Sequence, residues 1–315
     1  MAHNNKPLVD GHYLTDGGLE TTLIFHKGME LPHFAAFELL KHPDGKNALS
    51  EYYAPYLQIA QNYGLNFILE TPTWRANSDW GFKLGYSEQE LQQINRDAVA
   101  FMRGLVPSMQ DDAHVAVSGN IGPRGDGYVV EKRMTPEQAK AYHTPQIRAF
   151  ADEQADLVTA LTLNYSDEAI GIVLAAQEIG VSVVIAFTVE TDGHLPSGES
   201  LQEAIERTDL ATDSYVVHYM INCAHPEHFK HMLAEDGTWK ERIRGIRANA
   251  STLSHAELDE CETLDTGDKC LLVDGYNVLR ESLPELKVVG GCCGTDHSHL
   301  EVICESLFAK STDKK

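Results

Sequence analysis

Short apolar runs alternate with longer amphipathic stretches along nearly the whole chain. The short runs read as buried strands of a parallel sheet, and the longer stretches have the period of helices that are apolar on one face. Eight runs are predicted to be strands, and their ends are expected near Thr15, Thr71, Gly119, Leu163, Val189, Asn222, Ala248 and Gly291.

The helices between these strands begin with residues that cap free backbone amides. Ser50 and Ser166 are predicted N-caps of two helices. Three further helices are predicted to begin with capping boxes, at Ser87–Glu90, Thr135–Gln138 and Ser200–Glu203.

Eight strand-helix repeats without a Pro/Gly/Ser linker predict a single (β/α)8 TIM barrel over residues 1–310, followed by a disordered tail at 311–315. A doubly wound open sheet is the alternative architecture. The acidic stretch from Ser251 to Asp268 is expected to be a loop after the seventh strand, with its charges on a solvated surface.

The chemically unusual residues follow the predicted strand ends. In a barrel these positions share one rim, which is where barrel enzymes carry their active sites. The rim segments are Asp16-Gly17-Gly18, Thr71 to Asn77 with Trp74 inside it, Gly119 to Asp126, Asn222-Cys223, Asn249 and Gly291-Cys292-Cys293.

The strongly negative net charge limits the kinds of molecule that the protein is expected to bind. The chain has 315 residues, with 47 acidic and 25 basic side chains and a formal net charge of −22. Nucleic acid and anionic membrane surfaces are therefore not expected as partners, and a cationic small molecule is favoured. The sequence shows neither a secretory signal nor a membrane span, so we expect a cytoplasmic protein whose six cysteines stay reduced.

Cys223, Cys292 and Cys293 could meet over the barrel mouth. Three thiolates would form an open Zn²⁺ site, with the fourth tetrahedral position left for water or substrate. Two other interpretations of the adjacent pair remain: a vicinal disulfide and two ordinary buried thiols. His225 could complete a closed structural site, although a histidine without a metal-binding role is the simpler interpretation.

The remaining candidates are expected to be unremarkable. Cys261, Cys270 and Cys304 are interpreted as buried apolar residues or surface thiols, and the other histidines as ordinary side chains without metal-binding spacing.

Several motifs resemble those of the zinc-dependent homocysteine S-methyltransferases. They are "LTDGGLETTL" near the start, then "GNIGP", "INC" and "GGCCGT". The resemblance implies a (β/α)8 barrel with Cys223, Cys292 and Cys293 as zinc ligands, and with Asp16, Gly17 and Gly18 helping to hold the acceptor amino acid. It also implies transfer of a methyl group from a cationic sulfonium or ammonium donor to a small thiol, most simply homocysteine, giving methionine.

Other rim residues are candidates for substrate contacts. Trp74, Trp80 and Tyr86 could stabilise the positive donor through their aromatic faces, with core packing as the alternative role of each. Asn222 is expected either to touch substrate or to shape its loop. The sequence leaves the identity of the donor open, and an oligomer is compatible with it.

One position departs from the family pattern. Where family members commonly read "ETLPN" after the fourth strand, with a Glu that resembles an anchor for the amino group of homocysteine, this chain has Leu161. Either another acid such as Glu190 or Glu70 substitutes, or the acceptor is a different thiol or selenol. A non-catalytic redox protein that uses the Cys292-Cys293 pair is the alternative from a different class.

Overall fold

A computed structural model describes residues 8–109, 113–130, 132–234 and 237–309. Eight parallel strands pair in chain order and close into a barrel. The single (β/α)8 barrel is therefore confirmed, and the open sheet is excluded because β1 pairs with β8. The strands are β1 Tyr13–Leu14, β2 Asn66–Glu70, β3 Val115–Ile121, β4 Leu157–Leu163, β5 Val183–Phe187, β6 Tyr219–Asn222, β7 Ile243–Ala248 and β8 Val288–Gly291.

Helices cover the outside of the barrel and part of its rim. Short 3₁₀ and π turns add to them after β1, α4 and α8. The α-helices are α1 Leu19–Thr21, α2 Pro43–Tyr63, α3 Ser78–Lys83, α4 Glu88–Leu105, α5 Pro136–Asp152, α6 Ser166–Ile179, α7 Leu201–Ala211, α8 Pro226–Phe229, α9 His255–Asp259, α10 Lys269–Ser282 and α11 His297–Phe308.

The predicted starts of the helices are partly right. All three predicted capping boxes form, at the starts of α4, α5 and α7. The prediction for Ser50 was wrong, because α2 already begins at Pro43 and the Ser50 hydroxyl bonds the carbonyl of Lys46 within the helix. Ser166 is the first residue of α6 rather than its cap, and its hydroxyl bonds Glu199.

Each strand presents alternate side chains to two cores. Phe67 and Leu69 of β2 pack outward against the helices, whereas Ile68 packs inside the barrel. The inner core also holds Tyr13 and Val288, which are paired in the register that closes the barrel. This inner core fills the barrel below the rim loops, and its member Leu161 lines the cavity at the barrel mouth.

The acidic stretch lies where it was expected, after β7, but it is more than a solvated surface. It contains α9, and His255, Leu258 and Asp265 from it line the cavity at the barrel mouth. The predicted tail at 311–315 lies outside the described residues. Within the described part of the chain, no helix combines the length and apolarity needed to cross a bilayer.

Candidate active site at the barrel mouth

Three cysteines meet at the carboxyl end of the barrel. Cys223 follows β6, and Cys292 and Cys293 follow β8. The sulfur of Cys223 lies 3.0 Å from that of Cys292 and 3.5 Å from that of Cys293. Among the described residues, these three form the one cluster with the side-chain geometry to hold a metal ion. The predicted convergence of the three thiols is thus present.

The backbone is strained at Cys223 and closely packed beside Cys292. Cys223 adopts a left-handed conformation with φ of 58°, which is costly for a residue with a side chain and is typical of functional sites. Gly18 lets the first rim loop approach the cysteine loop, since a Cβ there would lie 2.7 Å from the carbonyl oxygen of Cys292. The glycines near the start of the chain therefore help to build the cluster.

Tyr128 and His255 cover Cys223. The phenol oxygen of Tyr128 lies 3.0 Å from the Cys223 sulfur, and its ring stacks on that of His255 at 4.1 Å. His255 in turn lies 2.6 Å from the carbonyl oxygen of Cys223 and 3.3 Å from a carboxylate oxygen of Glu190. Burial opposes a charge on His255, but the contacts with Glu190 and the Cys223 carbonyl raise its pKa above the ordinary value.

A buried ion pair lies beside the cysteines. Arg247 of β7 donates to Asp16 across 2.7 Å, and Tyr52 donates to the other oxygen of the same carboxylate. Burial is the main influence on Asp16 and raises its pKa despite both partners. In contrast, hydrogen bonds with the other two thiols lower the pKa of Cys292, and the charge of Arg247 adds to this effect. The same contacts and burial raise the pKa of Cys223 and of Cys293, so Cys292 is the thiol of the cluster that favours the thiolate form.

The cavity above the cysteines has a volume of about 540 Å³. Asp16, Gly17, Gly18, Trp74 and Asn222, all predicted to contact substrate, line it together with the three cysteines. The cavity is large enough for a small amino acid and part of a second molecule.

Asn222 and the aromatic residues already have protein partners. The Asn222 amide both accepts from the backbone amide of Thr162 and donates to its hydroxyl, so it joins β6 to β4. The guanidinium of Arg75 lies between the rings of Trp74 and Trp80, 4.0 Å from each. Tyr86 lies outside the cavity and packs against Phe37, which agrees with the core alternative for this residue.

Glu70 and Glu190, the two candidates for the carboxylate that is absent at Leu161, lie in different surroundings. Leu161 lines the cavity floor and packs in the inner core, so no carboxylate is present at that point. Glu70 lines the cavity and is 3% exposed, whereas Glu190 does not line it and contacts His255 instead. Burial raises the pKa of Glu70 to about 7 and that of the nearby cavity residue Glu20 to about 7.

The other thiols and His225 lie apart from the cluster. Cys304 is buried and Cys270 is exposed, as is Cys261 at the outer part of the cavity wall. His225 is the N-cap of α8, where its ring accepts from the backbone amide of Glu227. A closed site with His225 as the fourth ligand is therefore not formed.

Three residues of the site, Tyr128, His255 and Arg247, were not predicted from the sequence. Arg247 could have been found, since a charged residue inside a predicted buried strand requires a partner or a function. His255 was treated as ordinary, and nothing in its acidic surroundings indicated that the segment folds over the barrel mouth.

The comparisons with known proteins agree with this architecture. Homocysteine S-methyltransferase 1 of Arabidopsis thaliana is 21% identical over 94% of both chains, and a protein of the same name from Brassica oleracea var. italica is equally similar. The metallated form of the homocysteine methyltransferase MmuM from Escherichia coli shares the fold, with a TM-score of 0.73, 18% identity, and coverage of 93% of this chain and 96% of MmuM.

The family assignment rests on a match over most of the chain. A profile of the homocysteine S-methyltransferases matches residues 13–307, which include all eight strands and all three clustered cysteines. We conclude that this chain belongs to the homocysteine S-methyltransferase family, a family of methyltransferase enzymes.

Proposed function

We propose that the protein is a zinc-dependent S-methyltransferase that moves a methyl group from a cationic sulfonium or ammonium donor to homocysteine, giving methionine. The observation that carries this proposal is the convergence of Cys223, Cys292 and Cys293 at the wall of an open cavity. Family membership supports homocysteine as the acceptor.

The cysteine cluster fits zinc. Three sulfurs bonded to one tetrahedral Zn²⁺ at 2.3 Å would lie about 3.8 Å apart, and the sulfurs here need to move by less than about 1 Å to reach that spacing. Soft thiolate ligands favour zinc over magnesium or calcium. The cavity beside the cluster leaves access for a substrate thiol. Bound there, zinc would hold that thiol as a thiolate at neutral pH.

The residues around the cluster would tune and position the reactants. Tyr128 places a hydroxyl against the Cys223 sulfur, where it would donate to the thiolate that metal binding requires. His255 contacts the carbonyl oxygen of Cys223 and so supports its left-handed turn. The ion pair of Asp16 with Arg247 fixes the first rim loop beside β7.

The reaction balances without a redox partner. The acceptor thiol releases its proton to solvent, and its sulfur then supplies the electron pair for the new sulfur–carbon bond. The bond between the methyl carbon and the donor sulfur or nitrogen breaks, and the donor leaves as a neutral molecule. A positive donor is supported by the excess of carboxylates around the cavity.

Leu161 favours one alternative, in which the same site accepts a different thiol or selenol. It places an apolar side chain on the cavity floor.

A redox role is the second alternative, and the distances between the sulfurs indicate which disulfide could form. The close sulfur contacts run from Cys223 to each member of the adjacent pair, so a disulfide between the two rim loops competes with a vicinal one.

Metal analysis on protein purified under reducing conditions tests the proposal first. We expect about one zinc per chain, and loss of both zinc and methyl transfer in Cys292→Ala, because two sulfurs hold the ion far more weakly than three. Cys270→Ala is the matched control, since this exposed thiol lies outside the cavity. Full methyl transfer by Cys292→Ala would refute the proposal.

A panel of thiols and selenols, each offered with sulfonium and ammonium donors, then identifies the reactants. Turnover confined to homocysteine would exclude the alternative acceptors. No zinc after repeated addition, combined with reversible oxidation of the cluster, would favour the redox role. The cytoplasmic location stays a prediction from the sequence.

A further inference from the structure

Negative charge dominates the cavity. Among the described residues, its wall holds two arginines, Arg75 and Arg247, and six carboxylates: Asp16, Glu20, Glu70, Asp126, Asp259 and Asp265. Such a wall attracts a positive group, although the useful anchor is a carboxylate that no protein group already satisfies.

Most of these carboxylates are occupied or peripheral. Asp16 is paired with Arg247, as described above. Asp126 accepts from two backbone amides, and Asp265 accepts from a serine hydroxyl and a backbone amide. Asp259 is exposed at the mouth of the cavity. Two glutamates therefore remain as anchors.

Glu70 is the better placed of the two. It is 3% exposed, and its Oε2 atom is buried without a hydrogen-bond partner in the described structure. Glu20 is only half-buried and can be hydrated in part. A buried carboxylate oxygen without a donor is costly, so Glu70 is the residue that gains most from a ligand.

Arg247 presents a complementary atom. Its Nε donates to the carbonyl oxygen of Gly291 and its Nη2 to Asp16, but its Nη1 is buried and has no partner among the described residues. In the same part of the chain Arg247 forms an ion pair with Asp16 and none with Glu70. Glu70 and Arg247 therefore both line the cavity, and each keeps one polar atom that no described protein group satisfies.

We propose that Glu70 and Arg247 together bind the zwitterionic head group of an α-amino acid, with the ammonium on the Glu70 carboxylate and the carboxylate on the Arg247 guanidinium. This inference rests on the proposed function, because it assigns the binding of the amino-acid acceptor. Asn120 and Asn249 also line the cavity and have side-chain oxygens without partners, so they can accept from the remaining ammonium hydrogens.

The arrangement explains how the chain manages without a carboxylate at Leu161. Glu70 ends β2 and Leu161 lies in β4, so the anchor has moved to another strand while still facing the same cavity. Asp16 acts as a positioning residue here, since it binds Nη2 of Arg247 and leaves Nη1 without a partner among the described residues.

Ligand binding to the reduced, metal-free full chain tests this proposal without methyl transfer. The probes for calorimetry are L-methionine, 4-(methylthio)butanoate, which lacks the amino group, and 3-(methylthio)propylamine, which lacks the carboxylate. Glu70→Gln should weaken methionine and the amine by at least about tenfold and leave the butanoate unchanged. Arg247→Lys should weaken methionine and the butanoate and spare the amine. Glu153→Gln is the matched control, since this glutamate is exposed and lies outside the cavity, and it should bind all three like the wild type.

Each outcome separates this proposal from the proposed function. Methionine binding within twofold of wild type in Glu70→Gln, an equal loss of all three probes, or no binding of any probe to the wild type would overturn the head-group assignment. Arg247→Lys also disturbs the buried ion pair with Asp16, so Glu70→Gln decides the question by itself. If the binding pattern is found but the protein neither holds zinc nor transfers methyl groups, the proposed function fails and the amino-acid site stands.

Discussion

The phenol oxygen of Tyr128 lies 3.0 Å from the sulfur of Cys223, although the two residues are 95 positions apart and belong to the loops after β3 and β6. Its pKa is raised by burial and by the neighbouring cysteines, so the phenol keeps its proton and can donate to a thiolate. The hydroxyl therefore acts on the reactive cluster without belonging to the set of three sulfurs.

Tyr128→Phe removes this single hydroxyl. We expect the variant to retain about one zinc per chain, because all three sulfurs remain, but to lose about tenfold in kcat/KM, as expected for one hydrogen bond to a charged group. Elemental analysis and initial rates with homocysteine measure the two effects. Loss of zinc in Tyr128→Phe would show that the phenol oxygen is itself a ligand.

Glu70 should make the unliganded protein less stable as the pH rises. Burial raises its pKa from 4.5 to about 7, so between these values the folded chain holds a proton that the unfolded chain releases. Stability falls as pH increases through this window, by up to about 3 kcal/mol from this group. Glu70→Gln should match the wild type near pH 4 and exceed it at pH 8.

Urea denaturation of the metal-free, reduced protein at several pH values measures this difference. The cysteines titrate in both proteins, so the comparison of variant with wild type isolates Glu70. Parallel pH profiles for the two proteins would mean that Glu70 is ionised at its ordinary pKa and has a partner.

Arg75 should contribute to stability through its position between Trp74 and Trp80. It is buried and also donates to the carbonyl oxygen of Gly125. Arg75→Met should lower the free energy of unfolding by about 2 kcal/mol, because a desolvated cation–π contact is lost. Lys83→Met is the control, since the exposed Lys83 lies 3.8 Å from the Trp80 ring and should cost less than about 1 kcal/mol. Equal costs would contradict the importance of burial.

Gly18→Ala should damage the cysteine cluster from a distance along the chain. The added Cβ would lie 2.4 Å from the Thr21 hydroxyl and 2.7 Å from the carbonyl oxygen of Cys292, and the carbonyl belongs to backbone that cannot simply rotate away. We expect zinc affinity to fall by at least about tenfold, as for changes in residues that orient metal ligands. Competition with a chelator measures the affinity.

Gly125→Ala is the matched control for this change, because a Cβ at that rim position has open space around it. The control should bind zinc like the wild type. Undiminished zinc affinity in Gly18→Ala would mean that the first rim loop moves independently of the cysteine loop.

The repeating pattern of the sequence was sufficient for the barrel, because strands and helices differ in hydrophobic period and parallel strands share one rim. Because the strand ends share one rim, Cys223 was predicted to lie near Cys292 and Cys293. Every predicted strand end lies within two residues of the observed one. Both predictions depend on the local hydrophobic pattern of each segment. They also depend on the barrel topology, in which strands pair in chain order and all carboxyl ends share one rim.

The unpredicted parts depend on contacts between distant residues. Asp16 and Arg247 are 231 positions apart, and no local pattern indicates that their side chains pair. Glu70 Oε2 lacks a hydrogen-bond partner because no donor of the described surrounding strands lies within reach, and the sequence does not show these distances. The acidic segment folds over the cavity and places His255 and Leu258 of α9 in its wall, which its polar composition does not indicate.

The order of the strands has a consequence for how the protein matures. β8 closes the barrel by pairing with both β7 and β1, and two of the three clustered cysteines follow it directly. A chain that is still being synthesised lacks these two thiols until its last strand is made. If the proposed zinc site forms, its ligand set is therefore completed only in the step that joins the first strand of the barrel to the last.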